Sequence, residues 1–386
     1  MSCWPSSSSR PRAAPGAILL AALLACAGAR PPPAVPERAR IALFPPGDES
    51  AGVPPLRDTW VKLEVALRAR GVDLVSGDIV DEFLARHRLR YTAGIDRDTA
   101  SAAREELGVD AVLLSSVDLF SKIGTPRYGM TMRLVSTGDD PTILWIDGTV
   151  RAGDDAPGLF GLGVVGDVGE LQRLAVSRLT RSLAEYLAGS GPRARACPRD
   201  DRFAPRILYR SPLTRRSDRV SVAVLPFVNR TGSPNAGDVV ASAFVRALVA
   251  DGRVDVRDPG IVRGALLQNR IILEGGVSHE SARVSLGSMD VDVVISGYVR
   301  GFSEGGPSVE FTAIALDTWT NRTVWQSSSL NRGDDGVFFF GAGRIWTANA
   351  LACRMVRDVA EEMVRSWRKG PSPAARGESA GPRGRP

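Results

Sequence analysis

Two stretches of this 386-residue chain carry the same landmarks in the same order, displaced by about 181 positions. Ile41-Ala42-Leu43-Phe44-Pro45 matches Val222-Ala223-Val224-Leu225-Pro226, and Val109-Asp110-Ala111-Val112-Leu113 matches Val291-Asp292-Val293-Val294-Ile295. Trp145 matches Trp325, Gly153-Asp154-Asp155 matches Gly333-Asp334-Asp335, and Phe160-Gly161-Leu162-Gly163 matches Phe340-Gly341-Ala342-Gly343. A repeat of about 150 residues is domain-sized, far longer than the 20–50 residues of a solenoid unit. The chain therefore reads as one domain used twice, at 41–189 and 220–369, with 190–219 as an Arg-rich linker. The second copy holds its own core residues and is expected to fold alone.

Within each copy the hydrophobic period gives the elements. The apolar run ending at Pro45 or Pro226 predicts a buried strand, because proline suits a strand end. Trp60, Leu63, Ala66 and Leu67, like Val240, Ala243, Phe244, Ala247 and Leu248, recur at helical spacing. Short strands follow at Val72–Val75 and Val254–Val256, then helical segments, then long strands at Val109–Phe120 and Val291–Phe302. Alternation at Met130, Met132 and Leu134, and at Val309, Phe311, Ala313 and Ala315, predicts antiparallel neighbours. A long amphipathic helix closes each copy. The predicted class is α+β: two tandem similar domains, each a mixed, mostly antiparallel sheet in the order β-α-β-α-(α)-β-β-β-α.

The N-terminus reads as an export signal. Arg10 and Arg12 precede Ala13–Ala25, an apolar stretch too short to span a bilayer. It ends Leu23-Leu24-Ala25-Cys26, which resembles a bacterial lipobox, with Cys26 as the lipidation site and 1–26 as the signal peptide. An ordinary signal peptide cut near Ala25 or Ala29 is the alternative. Lipid on Cys26 would tether the chain to the membrane. Ala27 is not the Asp associated with inner-membrane retention, so the outer membrane, periplasmic side, is the expected location. The Pro-rich segment 27–40 reads as a spacer, and 370–386 as a disordered tail.

The net charge of +6 does not point to nucleic acid. Residues 1–40 and 368–386 each carry +4, which leaves 41–367 at −2. The linker holds nine Arg against three Asp, so the positive charge lies outside the repeats rather than on a basic face of one.

Domain 2 also carries Val222-Ala223-Val224-Leu225-Pro226-Phe227-Val228-Asn229-Arg230-Thr231-Gly232, Asp292-Val293-Val294-Ile295-Ser296-Gly297 and Leu316-Asp317-Thr318-Trp319-Thr320-Asn321-Arg322-Thr323-Val324-Trp325. These resemble landmarks of the envelope lipoproteins related to the curli-secretion protein CsgG, whose fold is shared by the TolB N-terminal domain and LpoB. Domain 1 carries degraded versions. Asn321 stands where the family's turn has glycine, and asparagine tolerates positive φ. The resemblance implies a non-catalytic binding or assembly module in envelope biogenesis, secretion or surface polymer export. Its partners would be other envelope proteins, with a homo-oligomer allowed. The alternative it offers is a subunit of an oligomeric CsgG-type secretion channel.

The remaining chemistry is sparse. Gly161-Leu162-Gly163-Val164-Val165-Gly166 has glycine spacing but follows no buried strand, as a dinucleotide site requires. The doubled Gly-Asp-Asp lacks the six to eight oxygens Ca²⁺ takes, and reads as a loop starting the last helix, with Asp accepting backbone N–H bonds. Asp290 and Asp292 read as a solvated helix-to-strand turn. His87 and His279 have no partner at catalytic spacing. No catalytic residue, metal site or cofactor is expected. Cys197 and Cys353 would pair in an oxidising periplasm; the alternative is a free Cys353 packed on the apolar face of its helix.

Overall fold

Ile41-Ala42-Leu43 has no polar side to turn to water, and it becomes a strand covered on both faces. In the computed structural model it is β1 (Arg40–Leu43), lying between β3 (Asp73–Leu74) and β4 (Ala111–Ser121), parallel to both. The structure describes residues 39–155, 163–213, 219–271, 275–284, 289–337 and 343–368. Cys26 and the signal segment, Gly161-Leu162, Phe338–Phe340 and 370–386 lie outside the described residues.

The first repeat continues with β2 (Gly47–Asp48), α1 (Leu56–Arg68), α2 (Gly77–Arg86) and α3 (Arg97–Leu107), then β5 (Arg127–Ser136), β6 (Ile143–Ala152) and α4 (Val168–Leu187). Its sheet runs β3-β1-β4-β5-β6, with β4, β5 and β6 antiparallel and β2 beside β4. The second repeat follows the same plan: β8 (Val220–Val224), β9 (Val228–Asn229), α5 (Ala236–Asp251), β10 (Val254–Val256), α6 (Pro259–Gln268), α7 (His279–Val284), β11 (Val293–Ser303), β12 (Ser308–Asp317), β13 (Arg322–Arg332) and α8 (Ala348–Arg368). Its sheet runs β10-β8-β11-β12-β13-β7, with β7 (Arg206–Arg210) coming from the segment between the repeats. The fold is α+β, with two similar units, each built on an open mixed sheet.

The shared landmarks are packing and turn devices. Trp145 and Trp325 are both fully buried in the last strand of their repeats, β6 and β13, each beside a bulge in its own strand at Leu144 or Val324. Asp110 accepts the Arg40 amide, and Asp292 accepts the Ser221 amide and hydroxyl, so each pins the head of the first strand. Asp48 accepts from the amide and hydroxyl of Ser50, as Asn229 does from those of Thr231. The degraded landmark in the first repeat thus keeps the same Asx turn. Asn321 sits at φ 53°, as its turn requires. Gly297 lies under the Phe227 ring, where a Cβ would collide with the ring and with the Thr312 carbonyl. At the matching positions the first repeat has Ser115 and Pro46, so it has neither the ring nor the glycine.

In the Gly-Asp-Asp turns, Asp155 accepts the Ala152 amide and Asp335 the Arg332 amide. They close the ends of β6 and β13, not the start of a helix. Asp167 caps α4 instead, accepting the Glu170 amide at 3.0 Å.

The described residues of the linker are folded. The linker begins with a bridge from Ala194 to Ile146 on the edge of β6. It then gives β7 (Arg206–Arg210), which pairs antiparallel with β13. Cys197 and Cys353 form a disulfide with Cα atoms 5.7 Å apart, joining the linker to α8. In the chain-entropy account a loop of 156 residues is worth about 5 kcal/mol.

Both repeats belong to one compact unit and share one continuous core. Helices α1 and α4 pack on one face of the first sheet, and α5 and α8 on the corresponding face of the second. The other face of the first sheet lies against α5 and the start of α8. The layers therefore run helices, sheet, helices, sheet, with α6 covering β8 and the start of β11 on the outer face of the second sheet. Strand burial follows from this order. β4 and β5 are buried on both faces, whereas β12 and β13 alternate, because the outer face of the second sheet meets solvent along these two strands. Among the described residues no helix is long and apolar enough to cross a membrane.

Candidate functional site

Buried charge concentrates where the first sheet meets the second repeat. Arg133 on β5 and Asp258, the N-cap of α6, form an ion pair at 2.7 Å with side chains 6% and 0% exposed. The Arg133 guanidinium also donates to the Ala93 carbonyl, and Asp258 accepts the Gly260 amide at 2.7 Å. The two backbones touch here: a Cβ on Gly94 would stand 2.8 Å from the backbone of Gly260. Asp118 accepts from Ser116 and Thr131, both at 2.5 Å, while Asn349 of α8 donates to its carbonyl. Asp147, at the far edge of the same sheet, is fully buried among Arg178, Arg195 and Arg246.

Three acids near this seam are shifted upward. Burial, with Asp118 and Asp238 close by, pushes the Glu49 carboxyl from its usual 4.5 up to about 8. Burial also raises Asp118, against the opposing pull of its two hydroxyl donors, and raises Asp238 on α5. Strongly perturbed groups often mark functional sites. Here Arg133, Asp147 and Asp258 bond across the seam, and Asp118 bonds within its own sheet. Isolated buried charges would cost far more than such pairs, so the network fixes the position of one repeat on the other.

At the mouth of the seam lies a groove of about 710 Å³. The first repeat contributes Val53, Leu119, Phe120, Lys122 and Ile123, and the second Pro234, Phe302 and Glu304. Phe120 and Phe302 are equivalent positions of the repeat. The walls are apolar, with Lys122, Arg127 and Glu304 as polar points, an arrangement that can hold an apolar group and orient a polar end. Val53 and Ile123 are each 89% exposed at its rim. A smaller hollow of about 380 Å³ adjoins Phe120 and Lys122, where Lys62 bonds Asp58 and Gln172.

The residues singled out from sequence are scattered. Cys197 and Cys353 stand together, remote in sequence from the groove residues, and Cys26 is outside the described residues. His87 bonds Glu106 at 2.6 Å on the surface, where Arg86 also binds Glu106. The side chain of His279 is outside the described residues. Among the described residues no group of three or more His, Cys, Asp or Glu could hold a metal ion. Sequence reasoning missed Glu49, Asp118, Arg133, Asp147 and Asp258. One signal was available: charged or hydroxyl residues inside strands otherwise apolar on both sides, as in Leu114-Ser115-Ser116-Val117-Asp118.

No family model matches the chain, and no curated protein matches it. Solved structures do. A PelC dodecamer from Paraburkholderia phytofirmans is 19% identical, covers 42% of this chain and 97% of its own, and has a TM-score of 0.30. Lipoprotein GNA1162 from Neisseria meningitidis is 20% identical, with 38% of this chain and 99% of its own covered and a TM-score of 0.28. The LpoB C-terminal domain from Salmonella enterica is 18% identical, with 30% and 82% covered and a TM-score of 0.26.

Proposed function

We propose that this chain is a lipid-anchored protein of the bacterial outer membrane, facing the periplasm, that acts as a non-catalytic binding or assembly module for other envelope proteins. The observation that carries this reading is the disulfide. Cys197 and Cys353 are joined across the linker and α8, and such bonds persist in oxidising compartments. An export segment ending at Cys26 would deliver the chain to one. Two features far apart in the sequence thus ask for the same environment.

The buried charges support the non-catalytic part. The Arg133–Asp258 and Arg246–Asp147 pairs are spent on joining the repeats. Surfaces left open include a groove with apolar walls, the outer side of β12 and β13, and the edge strand β7, all suited to binding.

Cys26→Ser tests the reading. The variant is expected to move from the membrane fraction to the soluble periplasmic fraction and to lose fatty-acid labelling, with the Cys197–Cys353 bond intact by non-reducing mass mapping. Unchanged membrane association and labelling, or free thiols in exported protein, would remove it.

A further inference from the structure

Among the described residues, the second sheet ends in an open edge. β7 is its terminal strand, and all five of its residues are exposed. Its inner side pairs with β13 from Trp325 to Ser328. Its centre is three consecutive large residues, Ile207, Leu208 and Tyr209, at 36%, 49% and 49% exposure. The matching edge of the first sheet, β6, is instead bridged by Ala194 and clasped by Arg193, which donates to the Ile143 carbonyl. An uncovered apolar edge strand is a template for one more strand.

Charge selects what can pair there. Arg206 and Arg210 stand at the two ends of β7, and neither has a carboxylate partner among the described residues. If two copies paired antiparallel about Leu208, Arg206 of each would face Arg210 of the other. Like charges directly opposite are unfavourable in a sheet, so the edge resists its own copy. The same two arginines favour an extended segment with acidic residues four apart and apolar residues between them.

We propose that β7 is a docking edge for an extended segment of another protein, carrying two acidic residues that flank an apolar centre, added as a further strand of the second sheet. The proposal deepens the binding-module reading by naming one of its surfaces, yet it requires no lipid anchor. Cys26→Ser tests the anchor and the experiment below tests the edge, so either can fail alone.

The test uses the full chain in detergent and two nine-residue peptides of alternating Val and Thr. One peptide has glutamates four apart, the other lysines at the same places. The glutamate peptide is expected to bind about tenfold more tightly at low salt, the range of two opposed cross-strand charge pairs. It should perturb the amide resonances of Ile207, Leu208 and Tyr209. The double change Arg206→Glu and Arg210→Glu should invert the preference. Arg206→Glu alone makes the edge self-complementary and is expected to raise self-association in sedimentation. Equal binding of both peptides, no binding, perturbation away from β7, or a preference that the double change fails to invert would each overturn the proposal. So would efficient disulfide trapping of a Leu208→Cys chain to its own copy, which would make the occupant a second copy.

Discussion

Glu49 and Arg230 occupy equivalent positions in the two repeats, directly after Asp48 and Asn229 of the shared Asx turn. In the second repeat Arg230 lies over the Tyr298 ring at the open face. In the first, Glu49 is drawn into the seam, and burial beside Asp118 and Asp238 raises its carboxyl to about 8. A carboxyl with a higher pKa folded than unfolded gains a proton on folding. Its stabilising share is complete below its ordinary 4.5 and is lost as pH climbs toward 8. Urea denaturation of wild type and Glu49→Gln from pH 4 to 9 checks this. The wild type is expected to lose stability relative to the variant between about pH 5 and 8, and parallel curves would show that Glu49 titrates normally. Arg133 teaches the same lesson: its counterpart, Ile314, is a half-buried apolar residue on the outer side of the second sheet and needs no carboxylate.

Helices α1 and α5 are the same element in two settings. α1 buries one stripe, Thr59, Trp60, Leu63 and Leu67, and leaves Val61 and Val65 exposed. α5 is buried nearly all round, from Ala236 to Val249, because it lies between its own sheet and the other repeat. Its apolar composition follows: a helix buried on all sides has no polar face to keep. Phe244, fully buried and in contact with the rings of Phe227 and Phe311, is the equivalent of Leu63. Phe244→Ala is expected to cost about 3–5 kcal/mol. Val65→Ala, 64% exposed on α1, is expected to change stability by less than about 0.5 kcal/mol. Chemical denaturation of the two variants measures the contrast, and similar losses would mean that α1 too is covered in solution.

At the scale of the molecule the repeats are stacked in one direction, sheet against helices, rather than face to face. Such a contact is heterologous and leaves two different ends. One end is the α1 and α4 layer. The other is the outer face of the second sheet, where half-buried Tyr298 and exposed Arg300 stand at the positions of the buried Ser116 and Asp118 of the first. A polar outer layer is how a terminal repeat caps a stack. Because one core and one ion-pair network cross the seam, the full chain is expected to unfold in a single calorimetric transition. Two resolved transitions would mean that each repeat stands on its own core, as the sequence taken alone suggests.

The period of the apolar residues and the offset between Ile41 and Val222, or Trp145 and Trp325, determined the class, the duplication and nearly every element. Those features depend on contacts within one repeat, and the repeat is written out twice. Asn321 was legible as a positive-φ turn for the same reason, since a turn is a local event. The seam was not legible. Whether Asp118, Arg133 or Asp147 faces water or protein depends on which layer covers the first sheet, and covering is a contact between residues more than a hundred positions apart. The open edge at β7 was hidden as well. An Arg-rich stretch with prolines reads as a tether until β13 supplies the hydrogen bonds that make Arg206–Arg210 a strand. The reason is physical: strand pairing and burial of charge are decided by partners distant in the chain, and only the packed molecule brings those partners together.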